Sequence, residues 1–124
     1  MPKLKVLYVD DDPDIREIAS ISLRLDPEID VRAEGSGAEA LVAARTWRPD
    51  AILLDVMMPT MDGPTTLRHL RNDQATSTIP VIFITARAQS REVDEYLAMG
   101  AVAVIVKPFD PMSLAKSVRS QVTT

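Results

Sequence analysis

Five short apolar runs rich in β-branched residues punctuate the chain: Leu4–Val9, Ile29–Ala33, Ala51–Leu54, Pro80–Ile84 and Val102–Val106. Their length and composition predict strands. Between them the apolar positions recur at helical spacing. Ile15, Ile18, Ala19, Ser22 and Leu25 form one stripe, Leu41 and Ala44 mark a second helix, and Leu67 and Leu70 a third. Val93, Tyr96, Leu97 and Gly100 mark a fourth helix, and Leu114, Ala115, Val118 and Val122 a fifth. Cap chemistry agrees with the periodicity. Asp12-Pro13 and Asp110-Pro111 each place a side-chain acceptor before a proline at the first helical position. Ser36 and Glu39 make an S-x-x-E capping box, and Gly100 suits a helix end.

Strict alternation of strand and helix predicts an α/β fold with right-handed crossovers. Strands that are apolar almost throughout belong in a sheet covered on both sides. The predicted architecture is a doubly wound five-stranded parallel sheet of flavodoxin-like order 2-1-3-4-5, with helices on both faces. Such sheets bind ligands outside the carboxyl ends of their strands, where the strand order reverses. The residues at those ends are Asp10-Asp11-Asp12, Asp55, Thr85 and Lys107-Pro108. The second strand ends at Arg32-Ala33-Glu34 and offers nothing comparable.

The first and third strands are neighbours in this order, so Asp10, Asp11 and Asp55 converge. Two carboxylates ~5 Å apart repel by about 3 kcal/mol at an effective dielectric of ~20. A trio therefore needs either a proton or a cation among its members. Carboxylate oxygens without His or Cys suit Mg²⁺. An acidic metal pocket beside a hydroxyl and an ammonium points to phosphoryl chemistry. Mg²⁺, Thr85 and Lys107 can each take one phosphoryl oxygen, and an aspartate can be the nucleophile, giving an aspartyl-phosphate. Singly, these residues have plainer roles: Asp12 is a helix cap, and Thr and Lys-Pro are common at strand ends. Their joint placement on one edge carries the inference.

Composition narrows the rest. The chain has 124 residues, which predicts one compact domain, and only 4% are aromatic, so aliphatic side chains must fill the core. A net charge of −4 argues against direct nucleic-acid binding and against anionic membrane surfaces. Without cysteine there is no disulfide scaffold, thiolate metal site or Cys nucleophile. No apolar run approaches the ~20 residues of a membrane span. The N-terminus turns acidic too soon for a signal peptide, so a cytoplasmic location is expected. His69, the single histidine, reads as a surface residue, and Trp47 as packing at the end of the second helix. Gly35-Ser36-Gly37-Ala38-Glu39-Ala40 matches the G-x-G-x-x-A dinucleotide fingerprint, but it follows an edge strand and helix capping explains the same residues.

Five ordered segments resemble the receiver domain of bacterial two-component response regulators, in its chemotaxis-regulator-like form. They are Val6–Pro13, Arg48–Pro59, Met61-Asp62-Gly63, Pro80–Ala86 and Val106–Phe109. The resemblance covers nearly the whole chain and implies a single receiver domain over 1–124. It implies that Asp55 is the phosphoacceptor, receiving its phosphoryl group from the phosphohistidine of a sensor histidine kinase or a phosphotransfer protein. Asp10, Asp11 and Asp55 would hold Mg²⁺, with Asp11 the more direct ligand of the acidic pair and the Met57 backbone carbonyl completing the protein's share. Thr85 would be the switch hydroxyl and Lys107 the phosphoryl contact, with a cis bond before Pro108. Met57 and Arg87, two residues after Asp55 and Thr85, would tune the phosphoryl lifetime. Such a module assists its own phosphorylation and dephosphorylation, is not a conventional enzyme, and controls a downstream effector protein.

The chain departs from the family in two places. Val104 stands where an aromatic switch residue is usual, and Ala101–Val106 is apolar where acidic residues are usual. The fifth strand is then either buried under two helices or part of a partner or homodimer face with the fourth and fifth helices. The main alternative function is a haloacid-dehalogenase-type phosphohydrolase with Asp10 as nucleophile. Asp14 stands where that motif wants Thr or Val, and the late acidic motif is missing. A degenerate receiver that only binds proteins is a third reading.

Overall fold

A computed structural model describes residues 3–87 and 89–122. The elements run β1 (Leu4–Val9), α1 (Pro13–Arg24), β2 (Ile29–Glu34), α2 (Gly37–Trp47), β3 (Ala51–Asp55), α3 (Gly63–Asn72), β4 (Val81–Thr85), α4 (Ser90–Ala98), β5 (Ala103–Val106) and α5 (Leu114–Val122). The five strands form one parallel sheet of order β2-β1-β3-β4-β5, as the alternation predicts. The predicted flavodoxin-like architecture is thus present in full.

Side chains alternate across the pleat, so each strand feeds two cores. Leu7, Val9, Ile52, Leu54, Val81 and Phe83 point toward α2, α3 and α4, where Ala40, Ala44, Leu67 and Leu70 meet them. Val6, Tyr8, Ala51, Leu53, Ile82 and Ile84 point the other way, onto Ala19 and Leu23 of α1 and Leu114 and Val118 of α5. All of these side chains are essentially fully buried.

Four sequence expectations shift. Strand β3 takes in Asp55, and β4 starts at Val81 and takes in Thr85, because Asp55 pairs with Ile84 and Thr85 with Val106. The ladder extends the strands to the carboxyl edge of the sheet. The α1 stripe is rotated: Ala19, Ser22 and Leu23 are buried, whereas Ile18 is 45% and Leu25 57% exposed. The helix packs on β2 and against α5, so its inward face is narrow and those two positions fall on its outer shoulder.

Asp110 caps a turn rather than α5. Its carboxylate accepts the Met112 amide at 3.0 Å, and α5 begins only at Leu114. Finally, β5 is not buried under two helices: Ala103, Val104 and Ile105 are half-buried and Val106 is 45% exposed. It is an edge strand with β4 as its neighbour among the described residues.

The caps of α1 and α2 form as predicted. Asp12 accepts from the Asp14 amide at 2.9 Å, and Ser36 Oγ accepts from the Glu39 amide at 3.2 Å. The return bond of the box comes from the Ser36 hydroxyl, which donates to Glu39 Oε1 at 3.0 Å. Gly37 belongs to this helix start, where a Cβ would lie 2.9 Å from Met61 Sδ. Close packing and capping account for the G-x-G-x-x-A match. Trp47 is half-buried at the end of α2 beneath the Lys5 ammonium, 5.1 Å from its ring centroid, and His69 is exposed on α3.

Candidate functional site

The site is set by strand register. Val9 of β1 stands opposite Leu54 of β3, so the next residues along, Asp10 and Asp55, emerge side by side at the carboxyl edge. Neighbouring strands lie ~5 Å apart, which brings the two carboxylates together without any loop having to reach. Asp11 follows on the β1–α1 loop. Carboxylate oxygens of Asp10, Asp11 and Asp55 all lie within 4.8 Å of one another. Asp10 and Asp55 are buried and Asp11 is exposed.

Lys107 enters this trio from the end of β5. Its ammonium donates to Asp10 Oδ2 at 2.9 Å and lies 3.3 Å from Asp55 Oδ2. The Lys107 amide donates to the Thr85 carbonyl at 2.8 Å, which ties the two strand ends together, and the Lys107–Pro108 peptide is cis. Burial, and then the Asp10 charge, push Asp55 up from its ordinary value to about 6, against the pull of Lys107. Burial draws the Lys107 ammonium down, but its bond to Asp10 and the charges of both aspartates outweigh this and raise it.

Sequence reasoning missed three residues around the trio. The first is Tyr8, fully buried on β1, whose hydroxyl donates to Asp10 Oδ2 at 3.2 Å. The two residues share one face of the strand because they are two apart. A tyrosine on an apolar strand two positions before an acid was the available signal. Burial first, and then the Asp10 charge, hold the Tyr8 phenol far above its ordinary value, so it stays a donor. The second is Arg16 of α1, whose guanidinium Nη1 donates to the Asp10 backbone carbonyl at 2.8 Å.

The third is Gly63. The loop between β3 and α3 folds back after Asp55, and the Gly63 amide donates to the Val56 carbonyl at 2.9 Å. A Cβ at Gly63 would lie 2.6 Å from the Asp55 carbonyl oxygen and 2.8 Å from Val56 Cα, both backbone atoms that cannot step aside. Only glycine lets the start of α3 sit against the Asp55–Val56 backbone.

Residues 6–119 match the family model described as the response regulator receiver domain. The chain belongs to this family. Its receiver is 39% identical over 117 residues to the DNA-binding response regulator MtrA of Mycolicibacterium smegmatis, covering 94% of this chain and 50% of that protein. It is 42% identical over 115 residues to the transcriptional regulatory protein CseB of Streptomyces avermitilis, covering 93% of this chain and 47% of that one. The chain thus spans about half the length of these curated relatives, whose names refer to proteins with more chain than this. Among solved structures, the chemotaxis response regulator CheY4 of Vibrio cholerae superposes with a TM-score of 0.88 at 34% identity, covering 96% of this chain and 98% of that one. A response regulator from Chloroflexus aurantiacus superposes with a TM-score of 0.88 at 31% identity, each chain covered in full.

A receiver domain is a phosphoacceptor module of two-component signalling, and that is the function of this fold here. The family match lends nothing to the haloacid-dehalogenase alternative. Asp10, the nucleophile in that reading, has both oxygens engaged, Oδ1 by the Asp12 amide at 3.0 Å and Oδ2 by Tyr8 and Lys107.

The remaining predicted residues lie at different depths, and not all of them are at the pocket. Thr85 is buried at the end of β4, and its Oγ1 accepts the Arg87 amide at 3.1 Å. Arg87 itself is exposed and lines a cleft of about 450 Å³ with Ala86, Gln89 and Glu92. Met57 is 76% exposed on the loop after β3, with its amide 3.4 Å from Asp55 Oδ1. Val104 lies away from the trio, half-buried against the core that holds Tyr96 and Phe83, whose rings meet edge to face at 5.2 Å. No helix among the described residues is long and apolar enough to cross a membrane.

Proposed function

We propose that Asp55 is the residue that accepts the phosphoryl group, with the kinase-borne phosphohistidine of a sensor protein, or of a phosphotransfer protein, as donor. An Asp55 carboxylate oxygen bonds to phosphorus as the P–N bond to the donor histidine breaks. The bonding pair stays on the imidazole nitrogen, which takes up a proton. Lys107 is already beside Asp55 and moves its donors to the new phosphoryl oxygens. Thr85 supplies a hydroxyl donor from the adjacent strand end, and this contact couples the modification to the position of the β4–α4 loop.

The donor set fits Mg²⁺: three carboxylates within reach of one another, no nitrogen or sulfur ligand among them, and an exposed Asp11 with no hydrogen-bond partner among the described residues. Asp11, Asp55 and the Met57 backbone carbonyl would hold the ion, with Asp10, already bound by three donors, acting at its edge. When bound, the ion offsets the repulsion between these carboxylates and an incoming phosphoryl anion. Met57 and Arg87 flank the acceptor and control water access to the phosphoryl group. On this reading the protein works in the cytoplasm, modifies only itself, and answers to a histidine kinase on one side and an effector on the other.

The observation that carries the proposal is the single ammonium of Lys107 held between Asp10 and Asp55 beside a third carboxylate. Incubation with acetyl phosphate and Mg²⁺ followed by intact-mass measurement tests it. One labile phosphoryl adduct, absent in Asp55→Asn and in EDTA, is the expected result. An unmodified mass, or repeated turnover of phosphoesters that needs Asp10 and not Asp55, overturns it.

A further inference from the structure

The β1–α1 loop must present Asp11 to the pocket, yet Asp11 is exposed and nothing among the described residues holds its carboxylate. What is held is the peptide in front of it. The Asp10 amide donates to the Glu34 carbonyl at 3.2 Å, and the Asp12 amide to Asp10 Oδ1 at 3.0 Å. The Asp10 carbonyl, which shares a rigid plane with the Asp11 amide, accepts from Arg16 Nη1 at 2.8 Å. Rotating that plane would swing the Asp11 side chain out of the trio.

The Arg16 guanidinium also lies close against Gly35 in the β2–α2 loop. A Cβ at Gly35 would lie 2.9 Å from Arg16 Nη1 and 3.4 Å from its Cζ. The crowded atom is the same nitrogen that donates to Asp10. Gly35 is not at a positive φ, so its value lies in the space it leaves for the guanidinium and not in its backbone freedom.

We propose that Arg16 is a positioning residue for the metal pocket, fixing the Asp10–Asp11 peptide so that Asp11 faces Asp55, and that Gly35 is glycine to admit the guanidinium. This rests on the reading of Asp10, Asp11 and Asp55 as a Mg²⁺ site. Neither Arg16 nor Gly35 touches the ion or the phosphoryl group.

Calorimetric titration of the unphosphorylated protein with Mg²⁺ alone tests the pair, with urea unfolding of each metal-free variant alongside. Arg16→Ala is expected to raise the Mg²⁺ dissociation constant roughly ten-fold, the scale of lost outer contacts at metal sites. Gly35→Ala keeps the arginine but displaces Nη1, and is expected to weaken binding in the same direction. The double variant should bind no worse than Arg16→Ala alone, because the alanine methyl acts only through the guanidinium. Asp11→Asn is the control. If Asp11→Asn loses affinity while Gly35→Ala and Arg16→Ala bind as the parent does, Arg16 merely staples α1 to the sheet and the proposal falls. Additive effects in the double variant overturn it equally. If Asp11→Asn itself binds as the parent does, the metal reading of the pocket fails first.

Discussion

The ammonium of Lys107 lies 2.9 Å from Asp10 Oδ2 and 3.3 Å from Asp55 Oδ2, so one cation serves two carboxylates that strand pairing forces together. The lysine side chain is 23% exposed, and the carboxylates 1% and 6%. Lys107 therefore does in the metal-free protein part of what a divalent cation would do. Lys107→Met should destabilise the metal-free protein at pH 7 by about 2 kcal/mol, because it strands buried negative charge. Saturating Mg²⁺ should restore more stability to the variant than it adds to the parent. Urea unfolding in EDTA and in Mg²⁺ checks this; equal gains would show that ammonium and metal do not share the carboxylates.

Asp55 carries a stability cost with a defined pH window. Its folded value, about 6, lies above its ordinary value of 3.8. Well below pH 3.8 the group is protonated in both folded and unfolded chains and costs nothing. As pH rises through 6, the folded protein must accept a buried charge that the unfolded chain accepts freely, and stability is lost. Asp55→Asn should therefore be more stable than the parent by about 2 kcal/mol at pH 7 in EDTA, and about equal to it at about pH 3. Denaturant midpoints at the two pH values decide the sign.

Thr85 is expected to separate acceptance of phosphate from the response to it. Thr85→Ala should still form the adduct, because Asp55, Asp11 and Lys107 are untouched. The equilibrium that the adduct shifts should move by roughly ten-fold less, the scale of one charge-assisted hydrogen bond. Amide chemical-shift changes on phosphorylation, followed along α4 and β5, report this. Full-sized changes in Thr85→Ala would remove the hydroxyl from the switch.

Gly63 is a steric requirement rather than a flexible hinge. Gly63→Ala would set a methyl against the Asp55 carbonyl oxygen and Val56 Cα, both backbone. The expected cost is about 1–3 kcal/mol of stability, with slower adduct formation as the acceptor loop is displaced. Unfolding and acetyl-phosphate labelling measured on the same variant check both halves.

Leu97, Met99, Val102 and Val106 are each more than 40% exposed on α4, the turn after it and β5. An apolar edge strand of this kind pairs or is covered. This surface is expected to mediate homodimerisation, favoured by phosphorylation. Sedimentation at several concentrations, with and without acetyl phosphate, checks it; a monomer throughout would remove the dimer.

Much of the site was legible from residue order. Element type and sequence follow from local periodicity, and strand alternation implies a parallel sheet, for which 2-1-3-4-5 is the commonest five-stranded order. Once β1 and β3 are neighbours, Asp10, Asp55, Thr85 and Lys107 must share an edge, because each ends a strand. Local caps at Asp12 and Ser36 were equally plain. The capping role given to Asp110 failed, since the chain spends Pro111–Ser113 in a turn before α5 begins. Tertiary structure alone decided the contacts between residues far apart in sequence: which oxygens Lys107 meets, the Tyr8 hydroxyl against Asp10 deep in the core, and the fit of Arg16 beside Gly35. The physical reason is that periodicity specifies which face a side chain takes. Strand register and helix rotation, set by the packing of the whole sheet, specify which atom it reaches.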